Sequence, residues 1–158
     1  MRGKRIGSGA ALLAGALAVT GLALAPTAAA VTPTTATFTA NCGFFGGGAA
    51  TLTATQTGTA ATLTLSTTAV KAPLPLSANS INSTLTMVNS TGPNRVFTGT
   101  ANPAMAINDP ITVGPLNGTV APGDQLDIFN GGLSMVVFGI TVTCTANAAQ
   151  QPGPFIFD

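Results

Sequence analysis

The sequence predicts a small antiparallel all-β protein, folded as a sandwich or a barrel. Three observations support this fold class. Apolar and polar residues alternate along most of the chain after residue 34, threonine is the commonest residue after residue 30, and Gly, Pro and Asn interrupt the alternation at short intervals. Alternation with a period of two indicates half-buried strands, and short strands spaced about 8–12 residues apart are typical of sandwiches and barrels.

The first 30 residues predict a secretory signal peptide. Basic residues at positions 2, 4 and 5 precede an apolar run over residues 10–25, and Ala28 and Ala30 supply a small-residue cleavage site. The apolar run is interrupted and shorter than the roughly 20 residues that a spanning helix needs. We therefore predict one domain over residues 31–158, secreted or loosely attached to the cell wall, with no membrane span in the mature form. Its core is expected over about residues 35–146, followed by a short C-terminal tail.

The first predicted strands follow from clear alternation. In the segment 35–42 the even positions are apolar, so Phe38 and Cys42 share one face. The segments 50–55 and 61–66 are separated by a short polar loop and predict a hairpin. Two prolines make the segment 71–76 a connection or an edge segment.

The remaining strands are shorter or irregular. Four are predicted over residues 81–88, 95–100, 111–113 and 125–129, the last ending at Asn-Gly-Gly. In the final strand, over residues 133–144, the apolar positions change from odd to even numbers near Phe138 and Gly139. A β-bulge at this glycine would give both halves a common inward face.

The two cysteines, Cys42 and Cys144, predict a disulfide, because small exported domains use such bonds as staples. The bond would close a loop of about 100 residues, for which the chain-entropy model gives about 4–5 kcal/mol. The alternative, a catalytic thiol, needs a base that lowers its pKa, and the chain contains no His.

Charged residues are too scarce for most chemistry. After residue 30 the chain has one Lys, one Arg and four Asp, a formal charge of −2, and it has no His, Glu, Tyr or Trp. This composition argues against nucleic acid and anionic lipid surfaces as partners and against acid–base catalysis. We predict a protein without enzymatic activity or cofactors, in which Asp109, Asp124 and Asp127 are candidates for a weak metal site.

Two further features leave alternatives open. Phe44 and Phe45 lie in a glycine-rich loop beside Cys42, where they either form an exposed contact surface or pack against the disulfide. Of the 128 residues from Val31 onward, 24 are threonine, which keeps an uncharged β surface soluble. Regular threonine arrays can also order water against ice, and the Thr/Pro-rich segment 31–35 is a candidate O-glycosylated tether.

The early segment Thr-Phe-Thr-Ala-Asn-Cys42 and the late segment Gly139-Ile-Thr-Val-Thr-Cys144-Thr resemble the uncharacterised secreted β-sandwich domains of high-GC Gram-positive bacteria. This resemblance implies an immunoglobulin-like sandwich of about seven to nine strands and no enzymatic activity. We expect a structural or interaction domain that contacts a cell-envelope component or another protein. The alternative is a carbohydrate- or ligand-binding module, although sugar-binding surfaces usually need the Trp and Tyr rings that this chain lacks.

Overall fold

The structure, a computed structural model, describes residues 30–158, so the predicted signal peptide lies outside the described residues except for Ala30. None of the described residues belongs to a helix long and apolar enough to cross a membrane. A single 3-10 turn spans Gly43–Phe45. The strands are β1 (Thr35–Asn41), β2 (Gly47–Thr57), β3 (Ala60–Lys71), β4 (Asn82–Asn89), β5 (Arg95–Gly99), β6 (Pro110–Thr119), β7 (Gln125–Val137), β8 (Ile140–Ala146) and β9 (Phe155–Ile156).

These strands form one antiparallel sheet that closes on itself. Eight of them pair in the order β1-β2-β3-β6-β5-β4-β7-β8, and β8 pairs again with β1. The short β9 pairs with the first two residues of β7, beyond the point that β8 reaches. The result is an eight-stranded barrel, whose closure pairs both edges of the sheet.

The prediction of an all-β fold with one disulfide is confirmed, whereas the immunoglobulin-like sandwich of two open sheets is replaced by this closed barrel. Two junctions of the barrel are short, since β1 and β8 share two residue pairs and β5 and β6 share only the pair Thr98–Asn117. Between these junctions lie two groups of four strands, β1-β2-β3-β6 and β5-β4-β7-β8. Two open sheets and two edge-joined sheets bury the same alternate residues, so alternation alone does not distinguish them.

The core is built from every second residue of the long strands, as the alternation predicted. In β1 the three even-numbered residues are buried and the four threonine and asparagine residues between them are exposed. The same pattern continues through most of β2 and β3. The largest fully buried side chains are those of Leu52, Leu63, Ile81, Leu85, Met87, Phe97, Leu116, Leu126, Ile128, Leu133, Phe155 and Phe157.

The core extends past both limits expected from the sequence. Val31 is buried, and Thr32 pairs with Ile156 through two backbone hydrogen bonds of 2.9 and 2.7 Å. Phe155 and Phe157 are fully buried. The segment after residue 146, predicted to be a tail, is therefore part of the barrel.

The region from β6 to β8 differs from the prediction. The predicted short strand over residues 111–113 is part of the ten-residue β6. Phe138 and Gly139 form the two-residue turn of a hairpin in which Val137 pairs with Ile140, so no bulge lies there. In such a turn residue i pairs with residue i+3. The inward-facing residues therefore have odd numbers before the turn and even numbers after it. The bulge lies instead within β7 near Asn130, where β7 has three more residues than β4.

The two ends of the barrel differ in chemistry. We call one the pocket end; there β1, β3 and β7 finish and β4, β6 and β8 begin. The other, which we call the ion-pair end, contains the turn between β4 and β5 and the turn between β6 and β7. An apolar cavity lies at the first end, and the ion pair between Arg95 and Asp124 lies at the second.

Candidate functional site

An apolar pocket of about 230 Å³ lies at the pocket end of the barrel. Eleven of its twelve lining residues are apolar, and they come from the ends of several strands and from the connection after β3. The lining residues are Phe45, Val70, Lys71, Pro73, Leu76, Ile81, Ile111, Met135, Val137, Phe138, Ile140 and Val142. An eight-stranded barrel is about wide enough either to be filled by its side chains or to hold one small ligand.

The rim of the pocket carries large apolar side chains in contact with water. Phe138 is 64% exposed, Ile140 is 56% exposed and Phe45 is 45% exposed, and all three line the pocket. Phe44 is 98% exposed and stands edge to face with Phe45, with ring centroids 5.9 Å apart. Both side chains are therefore exposed to water, and their role as a contact surface stays a prediction.

Phe138 occupies an unusual backbone position on this rim. It has a φ angle of +51° and Gly139 has one of +78°, as a two-residue hairpin turn with both central residues left-handed requires. Asn-Gly is the preferred pair in such turns, and a bulky residue at positive φ is uncommon. The chain thus places an exposed aromatic ring where local backbone preference favours a small polar residue, and strained positions of this kind concentrate at functional sites.

A bulge in β3 brings Lys71 to the same rim. Thr67 pairs with Ile111 and Lys71 pairs with Pro110, so three residues of β3 have no partner in β6. Buried Thr67 holds the start of this bulge, because its hydroxyl donates to the Ala49 carbonyl at 2.7 Å and accepts from the Ala69 N–H at 3.1 Å. Bulges of this kind re-aim side chains at barrel rims.

The disulfide forms part of the barrel wall below the pocket. Cys42 and Cys144 are bonded, as predicted, and both are buried. They line a smaller void of about 20 Å³, which shares Val70, Ile111 and Met135 with the pocket. The covalent bond therefore lies next to the inner wall of the pocket.

The two long connections at the pocket end are tied to each other. Leu76 and Met105 exchange backbone hydrogen bonds of 2.8 and 2.9 Å. The buried side chain of Asn102 accepts from the N–H groups of Ser80 and Ile81 and donates to the carbonyls of Ser77 and Pro103. Ile81 lines the pocket, so these bonds fix one of its walls.

The ion-pair end contains the one salt bridge among residues 30–158. Arg95 Nε donates to Asp124 Oδ2 at 2.6 Å, and a terminal guanidinium nitrogen of Arg95 donates to Oδ1 at 3.0 Å. Asn89 and the Ala121 N–H donate to the same carboxylate, each at 2.8 Å. Burial raises the pKa of Asp124, but these hydrogen bonds outweigh burial and hold the pKa below its ordinary value. The hydrogen bonds to Asp124 and the charge of its carboxylate raise the pKa of Arg95.

The three carboxylates proposed for a weak metal site have separate roles. Asp124 is held by Arg95, Asp109 accepts from the Ala106 N–H at 2.6 Å, and Asp127 accepts from the Phe129 N–H at 2.8 Å. Within the described part of the chain, no three His, Cys, Asp or Glu side chains are grouped so that they could hold a metal ion. The structure thus does not assemble this site.

Phe45 is the one pocket residue that is also a candidate site residue from the sequence. The alternation predicts Phe138 and Ile140 on the inward face of a continuous strand, and the two prolines predict Lys71 in a connection or an edge segment. The signal for Phe138 was the change of parity before Gly139, which a tight turn explains as well as a bulge does. No local pattern indicated Lys71, because its position depends on the pairing of β3 with β6.

Comparisons of the chain with protein-family models, with curated proteins and with solved structures gave no match.

Proposed function

We propose that this chain is a non-enzymatic secreted binding domain whose pocket takes up an apolar group. The observation that carries the proposal is the pocket itself, with eleven apolar lining residues and exposed rings on its rim. Small-molecule sites are concave and mostly apolar, with few polar groups. An apolar ligand would remove the rim side chains from water and gain about 25 cal/mol for each Å² buried.

Of the two functions considered from the sequence, the geometry favours ligand binding over a general structural role. A carbohydrate ligand has little support, because Lys71 is the only polar side chain among residues 30–158 that lines the pocket. Sugars need several hydrogen-bonding partners as well as a ring to stack on. The disulfide supports export, since such bonds form and persist in oxidising compartments. Contact with a cell-envelope component, or loose attachment to the cell wall, also stays a proposal.

Fluorescence titration with N-phenyl-1-naphthylamine tests the proposal. This probe is uncharged, and its naphthyl group is close to the pocket in size. We expect saturable binding at one site per molecule, accompanied by a blue shift. Val137→Trp should weaken binding about tenfold or more, because the indole fills the space that the probe would bury.

Val136→Trp is the matched control. Val136 neighbours Val137 on β7 but does not line the pocket, so this variant should bind the probe within about twofold of the unmodified chain. Circular dichroism verifies that both variants fold. Equal binding by the two tryptophan variants, or no saturable binding by the unmodified chain, would refute the proposed function.

A further inference from the structure

We propose that the ligand is a small anionic amphiphile, with its apolar part in the pocket and its single negatively charged head group at Lys71. This inference rests on the proposed function and adds a charge and a size to the ligand. It is drawn from the position of the cations in the described chain, from the bulge in β3 and from the volume of the pocket.

Of the two basic side chains in residues 30–158, the one at the pocket rim, Lys71, has no carboxylate partner. Residues 30–158 contain two basic side chains, and Arg95 is paired with Asp124 at the opposite end of the barrel. Lys71 lines the pocket, is exposed and has no carboxylate within salt-bridge distance. Lys71 therefore places a positive charge in the pocket lining, and none of the carboxylates of residues 30–158 lines the pocket.

The carboxylate closest to Lys71 along the paired strands belongs to Asp109 and already accepts a backbone hydrogen bond. Asp109 precedes Pro110, the residue that pairs with Lys71, but its carboxylate accepts from the Ala106 N–H at 2.6 Å. A lysine side chain can lay its methylene groups along an apolar wall and keep its ammonium group in water. Lys71 can therefore both line the pocket and present a charge to a head group at the mouth.

The volume limits the apolar part of the ligand. A cavity of about 150 Å³ accommodates benzene, so a pocket of about 230 Å³ has room for about nine carbon atoms by proportion. This is the length of a medium alkyl chain or the size of a bicyclic ring. The acyl chain of a typical membrane lipid exceeds this volume, which favours a free amphiphile over a lipid held in a bilayer.

Competition against N-phenyl-1-naphthylamine with decanoate and decan-1-ol separates the charge from the apolar chain. In 20 mM salt at pH 7.5, Lys71→Gln should weaken decanoate binding about fivefold more than it weakens decanol binding, because only decanoate loses the attraction of the ammonium group. Lys71→Arg should retain the decanoate affinity, and Lys71→Glu should lower it further. The effect should shrink in 1 M salt, because Lys71 is exposed.

A charge-matched double variant controls for the overall field of the protein. Thr53 is exposed on the outer face of β2, away from the pocket lining, so Lys71→Gln combined with Thr53→Lys restores the net charge elsewhere. This double variant should bind decanoate as weakly as Lys71→Gln alone. Recovery of affinity in the double variant would overturn a specific role for Lys71.

A chain-length series tests the size. For carboxylates of 6 to 14 carbon atoms, affinity should rise about fourfold for each added methylene and stop rising when about nine alkyl carbons are buried. A continued rise to the longest chain would contradict the proposed size.

The outcomes distinguish this inference from the proposed function. If the uncharged probe and decanol bind but Lys71→Gln leaves decanoate unaffected, the charge assignment is wrong and the binding function stands. If none of the three ligands binds, the proposed function itself fails. Co-sedimentation with vesicles of phosphatidylglycerol tests the other source of an anionic amphiphile. Binding to these vesicles without binding of monomeric decanoate would overturn the proposal in favour of a membrane surface.

Discussion

Asp124 shows how one buried carboxylate can hold several parts of the barrel together. Its two oxygens accept hydrogen bonds from Arg95 at the start of β5, Asn89 at the end of β4 and the Ala121 N–H before β7. The carbonyl oxygen of the Asn89 side chain in turn accepts from the N–H groups of Thr91 and Gln125. The side chains of Arg95 and Asp124 are 23% and 6% exposed, so removal of either partner leaves the other poorly hydrated.

We expect Asp124→Asn to lower the free energy of unfolding by about 2 kcal/mol, because it leaves the Arg95 charge without its partner. Urea denaturation measures this loss. Asp127→Asn is the matched control, since the amide keeps an oxygen that can accept from the Phe129 N–H. The control should change stability by less than about 0.5 kcal/mol. Equal losses in the two variants would show that the ion pair has no special role.

The pH dependence has a definite sign. The folded pKa of Asp124 is lowered, so its contribution is fully present above the ordinary value of about 3.9 and is lost as the pH falls through the folded pKa. The unmodified protein should therefore lose more stability than Asp124→Asn between about pH 4 and pH 2. Parallel acid denaturation curves for the two proteins would contradict this prediction. The raised pKa of Arg95 affects stability only in strong alkali.

At the scale of single elements, the hairpin between β7 and β8 combines a conformational cost with an exposed ring. We expect Phe138→Asn to raise the free energy of unfolding by about 1 kcal/mol, because asparagine tolerates the left-handed conformation better than phenylalanine. The same variant should weaken binding of N-phenyl-1-naphthylamine, since it removes a ring from the pocket rim. Thermal denaturation and fluorescence titration measure the two effects.

The opposite directions of these two effects make the test specific. A substitution that only damaged the fold would lower stability and binding together. Phe44→Asn is a useful comparison, because Phe44 is exposed in the neighbouring 3-10 turn but does not line the pocket. It should leave probe binding within about twofold. Unchanged binding by Phe138→Asn would remove Phe138 from the site.

The strands are easier to predict from the sequence than the turns, bulges and pairings that join them. The hairpin of β2 and β3 was found because both strands alternate and Gly58, with a φ of +58°, suits the turn between them. The hairpin of β7 and β8 was missed because a bulge and a two-residue turn both change the parity of the inward positions. The pocket was beyond local reasoning, since the positions of Lys71 and Ile81 follow from a bulge and from the side chain of Asn102, which are set by pairing between distant segments.

At the scale of the whole molecule, the disulfide reinforces one of the two shortest junctions of the barrel. The ladder between β1 and β8 has only the pairs Ala40–Ala146 and Asn41–Thr145, and the bond between Cys42 and Cys144 stands at the next position along it. The junction between β5 and β6 has a single pair and no covalent link. The bond thus adds a covalent link to a junction that is also held by the core and by backbone hydrogen bonds from Asn147 and Gln151 to β1.

Reduction should therefore open the barrel at this junction. We expect Cys42→Ser combined with Cys144→Ser to lower the free energy of unfolding by up to about 4–5 kcal/mol, from the loop of 102 residues that the bond closes. Hydrogen exchange should accelerate most at the Asn147 amide, which donates to the Thr39 carbonyl beside the junction. Amides between β2 and β3 serve as the internal control. Equal acceleration in both regions would indicate general destabilisation instead of opening at β1 and β8.

The order in which the barrel is made follows from the same closure. A chain is synthesised from its first residue onward, and the partner of β1 that completes the ring is not present until residue 146 has been added. The walls of the pocket are drawn from positions between 45 and 142, so no early fragment contains them all. The proposed binding therefore requires a chain that has been made at least as far as Val142, the last residue of the pocket lining.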